Sequence, residues 1–125
     1  LLDDAIALHA HHPRLRAIEC AVDRPDGLLP VRVPRWALLR LLLLLVDAAK
    51  RAAGEDASPR VALGLSGDDE LVRLRSRTAE ELGAYGASLA TRCGGVVARD
   101  GDHLVLTLPT LSALRRRERD ESGAV

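Results

Sequence analysis

The 125-residue chain contains no methionine and no phenylalanine, one tryptophan, one tyrosine and two cysteines. With 47% hydrophobic residues and only 2% aromatic ones, its core has to be assembled from leucine, valine and alanine. Cys20 and Cys93 stand too far apart for a CxxC or zinc spacing, so a reducing, cytoplasmic setting is the expectation. Net charge is also missing. The 18 basic residues balance 18 acidic ones, and nothing in the overall charge selects nucleic acid or an anionic membrane. No long hydrophobic run is present either: Leu41 to Val46 falls far short of the ~20 residues of a spanning helix, and Arg40, Asp47, Lys50 and Arg51 bracket it. The opening LLDD lacks the basic start and small-residue cleavage site of a signal peptide. A chain without methionine that starts at Leu1 reads as a piece cut from a longer protein.

What is there is periodic. LLDDAIALHA puts Leu1, Leu2, Ala5, Ile6 and Leu8 at helical spacing and reads as a helix end, closed by His12 and Pro13. Alternation over Leu15 to Val22 suggests a strand, RPDG a turn, and Leu29 to Val33 a second short strand. Pro34 suits a first helical position, and the helix is expected over Arg35 to Ala53, stopped by Gly54. At ~100° per residue, Leu38, Leu41, Leu42, Leu45, Ala49 and Ala52 gather on a sheet-packing side. Trp36, Arg40, Leu43, Asp47, Lys50 and Arg51 gather on the other.

Arg60 to Leu65 and Glu70 to Arg77 form an antiparallel pair about the turn SGDD, with Val72, Leu74 and Ser76 on one face and Arg73, Arg75 and Arg77 on the other. In TAEE, Thr78 and Glu81 make a capping box that opens a helix with the stripe Leu82, Tyr85, Leu89, Cys93 and the stop Gly94-Gly95. A final hairpin turns at Asp100 to Asp102. From Thr110 onward the apolar content is too low for a place in the core, which suggests a short helix or a frayed tail. Helices alternating with strand pairs predict a mixed sheet covered on one face by helices.

VPRWALLRLLLLLVDAAKRA resembles the asparagine-box helix of the ATP-binding catalytic domain of sensor histidine kinases, a stretch of the type L-x-Q-V-L-x-N-L-L-x-N-A-x-K-A. The alignment sets Leu43 at the first asparagine, Asp47 at the second, and Ala48 and Lys50 at the small residue and the lysine. LGAYGASLATRCGGVVARDGDHLVLTLP resembles the family's closing helix, its H-G-G step into a hairpin and its terminal L-P, with Cys93 in the histidine's place. LLDDAIALHAHHPRLRAIECAVDRPDGLLPVRV resembles the segment that leads from the dimerisation hairpin into the first strand. The resemblance implies a two-layer α/β sandwich of the Bergerat (GHKL ATPase) type, its mixed, mostly antiparallel sheet covered by helices on one face. It covers residues 1–109, leaving 110–125 as a polar tail.

The departures bear on function. The resemblance expects an adenine-reading aspartate and a D-x-G-x-G glycine string where this chain has Ser76, Thr78 and Glu80. It expects a lid loop and a second glycine string where Thr78 caps a helix at once in TAEELGAY. Of the magnesium ligands only Asp47 is an oxygen donor. Leu43, Asp47, Lys50, Ser76 and Thr78 are therefore vestigial nucleotide-site positions, with no catalytic residue and no metal site. The expectation is a degenerate domain without cofactor that acts as a protein-interaction or phosphorelay module in bacterial two-component signalling. Its partner would be a response-regulator receiver or another signalling protein, with no nucleic acid and no membrane contact. A homodimer through segments ahead of Leu1 is compatible with that reading.

The interaction patch would be Trp36, Arg40, Leu43, Asp47 and Arg51, since an exposed tryptophan beside arginine is a common interface anchor. The ordinary reading of that stripe is a solvated polar face. The alternative function is a divergent working kinase domain, binding ATP and magnesium with Asp47, Lys50, Gly94 and Gly95.

Other candidates are weaker. His9, His11 and His12 lack converging ligands for a metal and the residue order of a phospho-acceptor, so they read as a solvated helix end. His103 begins a strand and reads as structural. The run Arg115 to Arg119 is interleaved with Glu118 and followed by Asp120 and Glu121, the mark of a solvated charged segment. Arg73, Arg75 and Arg77 would serve an acidic partner or keep a sheet edge soluble. No Ser-His-Asp order or paired-carboxylate spacing points to hydrolysis.

Overall fold

Leucine spacing decides the centre of the molecule. The structure, a computed structural model, describes residues 1–10, 19–23, 27–28, 31–53, 60–78 and 81–123. Helix α2, Arg35–Ala53, buries Leu38, Leu41, Leu42, Leu45, Val46 and Ala49 and lies across one face of a five-stranded sheet. The carbonyl of Pro34 accepts the amide of Leu38 at 3.1 Å, so the proline stands just ahead of the first turn. Helix α1, Leu2–His9, packs on α2.

The strands are β1 (Glu19–Asp23), β2 (Arg60–Gly67), β3 (Leu71–Arg77), β4 (Val96–Asp100) and β5 (His103–Pro109). Their order across the sheet is β1-β2-β3-β5-β4. The β2–β3 and β4–β5 hairpins are antiparallel, as their turn sequences require. The first pair differs from expectation. β1 joins β2 in parallel, with α2 as the crossover, and residues 31–33 form no strand. A parallel neighbour needs a crossover of this length rather than a tight turn. Leu15 to Ile18, Leu29 and Pro30 lie outside the described residues.

β3 is the central strand, so Arg73, Arg75 and Arg77 do not guard an edge. They sit on the helix-free face, where Arg75 meets Asp100 at 2.9 Å and Arg77 meets Asp102 at 3.1 Å. Leu74 and Ser76 point the other way and are buried, as the alternation predicts.

Helix α3, Gly83–Arg92, begins five residues after Thr78. Gly83 at φ +71° breaks the chain direction, and Leu82 folds back over Gly86, where a Cβ would overlap it. The buried stripe is therefore Gly86, Leu89, Ala90 and Cys93, and Tyr85 is turned outward, 53% exposed. The end of α3 follows the sequence closely. Gly94 at φ +73° donates to Thr91 and Gly95 to Ala90, a Schellman stop. A Cβ on Gly95 would run into the Thr107 carbonyl, so β4 can leave the helix this closely only through glycine.

Helix α4, Leu111–Gly123, is a helix rather than a frayed end, and Ala113 in its first turn is buried. Thr110 is its cap. The hydroxyl accepts the Ala113 amide at 3.1 Å and donates to the Asp69 carbonyl at 2.7 Å. The core is leucine, valine and alanine, with Cys93. Without a large aromatic to fill it, an apolar cavity of about 130 Å³ remains among Leu2, Leu38, Leu42, Leu65 and Leu106.

Candidate functional site

The vestigial positions assemble where the last turns of α2 meet the end of β3. Ser76 is fully buried on β3, and its hydroxyl has no hydrogen-bond partner among the described residues. Thr78 is 1% exposed. Its hydroxyl donates to the Ala48 carbonyl of α2 at 3.2 Å and its amide to the Asp102 carbonyl at 3.0 Å. A side chain that the sequence suggests as a helix cap instead stitches the strand end to α2. Arg99 of β4 closes the outside of the stitch, donating to the Thr78 carbonyl at 2.9 Å and to Glu81 at 2.7 Å. Glu80 lies outside the described residues.

Asp47 has neighbours that its sequence context does not reveal. Its Oδ1 lies 3.1 Å from His9 Nε2, and its Oδ2 accepts from Arg51 Nε at 2.7 Å. A carboxylate offers only acceptors, so His9 Nε2 carries the hydrogen in this pair. Burial pushes the Asp47 carboxyl up, but the hydrogen bonds from His9 and Arg51, with their charges, outweigh it and hold its pKa below the ordinary value. His9 is 6% exposed, so it is no solvated helix end. It links α1 to α2, beside the Asp4–Arg35 pair and the apolar packing of Leu2 and Ala5. His11 and His12 lie outside the described residues.

Lys50 leaves the outward stripe to which helical spacing assigns it. Its neighbours one turn away, Val46 and Ala53, are buried, and Lys50 is itself only 2% exposed. It meets no carboxylate among the described residues, and its charge is felt at Cys20 on β1. Burial raises the Cys20 thiol more than Lys50 lowers it, and burial likewise raises Cys93. Neither thiol is an activated nucleophile.

The rest of the stripe stays outward. Trp36 is 56% exposed, Arg40 is exposed and Leu43 is half-buried against the core. Arg92, at the end of α3, lies over the Trp36 ring, 5.4 Å from its centroid. The sequence reading missed Arg92 because the contact joins two helices. His103 pairs with Asp102 at the β5 entry, a structural role. Among the described residues no three His, Cys, Asp or Glu side chains converge as a metal site. No described helix is long and apolar enough to cross a membrane.

No protein-family model and no curated protein sequence matches this chain. Solved structures do match. The ATP binding domain of PrrB from Mycobacterium tuberculosis superposes with a TM-score of 0.66 at 18% identity, covering 87% of this chain and 90% of that one. The catalytic domain of histidine kinase ThkA gives 0.62 at 18% identity, with 87% and 89% covered. The Acinetobacter baumannii histidine kinase AdeS gives 0.61 at 13% identity, and this chain spans 61% of its length. The fold is that of histidine kinase ATP-binding catalytic domains, as the resemblance implies.

Proposed function

We propose that this domain, built on the histidine kinase catalytic fold, does not bind nucleotide and serves two-component signalling as a protein-docking or phosphorelay module that meets a response-regulator receiver. The observation that carries the proposal is the state of Asp47. In the aligned helix it stands where a magnesium ligand would be, and both of its oxygens are committed, to His9 and to Arg51. A magnesium ion there would compete with the His9 and Arg51 hydrogen bonds for the same carboxylate and would meet the positive charge of Arg51 beside it.

Three further features support the same reading. Thr78 closes the strand end onto Ala48, where a nucleotide-binding relative needs space. The aspartate and the first glycine expected near the base are Ser76 and Thr78, both buried. Gly94 and Gly95 are consumed in stopping α3 and letting β4 pass Thr107. The residues present do not fit a magnesium-nucleotide, and no step of a phosphoryl transfer is assigned to them. What remains on the surface is the aromatic-basic stripe Trp36, Arg40 and Leu43, suited to a partner protein. Incubation of the full-length protein with radiolabelled ATP tests the reading. The protein is expected to stay unlabelled; label on a histidine would establish the divergent working kinase instead.

A further inference from the structure

Helices α2 and α3 present an outward face that no described element covers. They run in opposite directions, since the end of α3 meets the start of α2 through Arg92 and Trp36. Along α2, Trp36, Arg40 and Leu43 follow one another a turn apart. The guanidinium above the indole holds the ring in place at its exposed position, so little side-chain freedom is left to lose on binding.

The charge on this face is one-sided. Arg40 and Arg92 are exposed and meet no carboxylate among the described residues, and the sequence of α3 contains no acidic residue. The nearby acids are already engaged, Asp4 by Arg35 and Asp47 by His9 and Arg51. Two exposed arginines without a described carboxylate, on a chain of formal net charge zero, mark a local preference. We infer that this α2–α3 face docks an acidic amphipathic helix of a partner protein, its apolar side on Trp36 and Leu43 and its carboxylates on Arg40 and Arg92. A third helix fits because two packed antiparallel helices leave a groove whose ridges accept another at close range. The inference rests on the domain being a docking module and adds the chemistry of what it docks.

Trp36 is the chain's sole tryptophan, so its emission reports this face directly. The test titrates the full chain with a designed helical peptide carrying leucines on one side and glutamates on the other. A second peptide carries lysines in place of glutamates, and a third ligand is a single-stranded oligonucleotide. The glutamate peptide is expected to give a saturable blue shift that weakens with salt. Arg40→Glu with Arg92→Glu should weaken it by about tenfold or more and shift preference to the lysine peptide. That exchange of preference separates charge recognition from a folding defect. No saturable response, or equal or tighter binding of the lysine peptide or the oligonucleotide, would overturn the inference. Failure here while radiolabelled ATP leaves the protein unlabelled refutes the partner chemistry alone; labelling refutes the docking reading itself.

Discussion

Replacing Asp47 by alanine separates a structural carboxylate from a catalytic one. His9 is 6% exposed, and the substitution removes the acceptor of its Nε2. Stripping a charged partner from a buried donor costs about 1–3 kcal/mol. The Arg51 pair is an i,i+4 contact with the Arg51 side chain half exposed, and its loss adds only about 0.3–0.5 kcal/mol. Asp47→Ala should therefore cost roughly 2 kcal/mol, a fall in Tm of roughly 6 °C for a domain of this size. Asp47→Asn keeps a carbonyl for His9 and should cost less. A cycle with His9→Ala should return a coupling of about 1 kcal/mol.

The pH dependence follows from the sign of the shift. The folded pKa of Asp47 lies below its unfolded value, so the stabilisation is full above about pH 3.9 and is lost as pH falls through the folded pKa. The gap between wild type and Asp47→Ala should close in acid. Urea melts at several pH values, with and without magnesium, provide the assay. A variant as stable as wild type, or a wild type that magnesium stabilises while the variant is indifferent, would refute the assignment of Asp47 to a structural pair.

Gly95→Ala should destabilise by about 3 kcal/mol, because its Cβ meets the Thr107 carbonyl, whereas Gly94→Ala, strained only by φ, should cost about 1 kcal/mol; thermal melts compare them. Lys50→Met removes a buried ammonium that has no described carboxylate while keeping the stem, and should raise the urea midpoint by the equivalent of about 1 kcal/mol. Thr110→Val loses both the cap on α4 and the tie to Asp69, about 1–2 kcal/mol, read as a lower Tm and reduced helical circular dichroism.

Elements that rest on local periodicity were legible in the sequence. α2 begins and ends where its leucine spacing and Pro34 place it, and both hairpins fall at their turn strings. What failed depended on contacts between distant parts of the chain. Thr78 and Thr110 offer the same cap chemistry, but Gly83 at positive φ delays the helix after Thr78, while Leu111 continues directly from Thr110. β1 pairs with a strand that follows α2, and alternation carries no information about partners. Of the site, the outward positions of Trp36 and Arg40 were readable from helical angle. His9 lies 38 residues from Asp47, and no spacing rule joins them. Lys50 was misplaced because the angle of a residue on a helix does not say how far the neighbouring elements reach around it.

The central claim is that a histidine kinase catalytic fold has been kept while its nucleotide chemistry has been closed over. Calorimetric titration of the full chain with magnesium-ATP tests this most directly. The account predicts no saturable heat for the wild type; a micromolar isotherm that Asp47→Ala abolishes would contradict it.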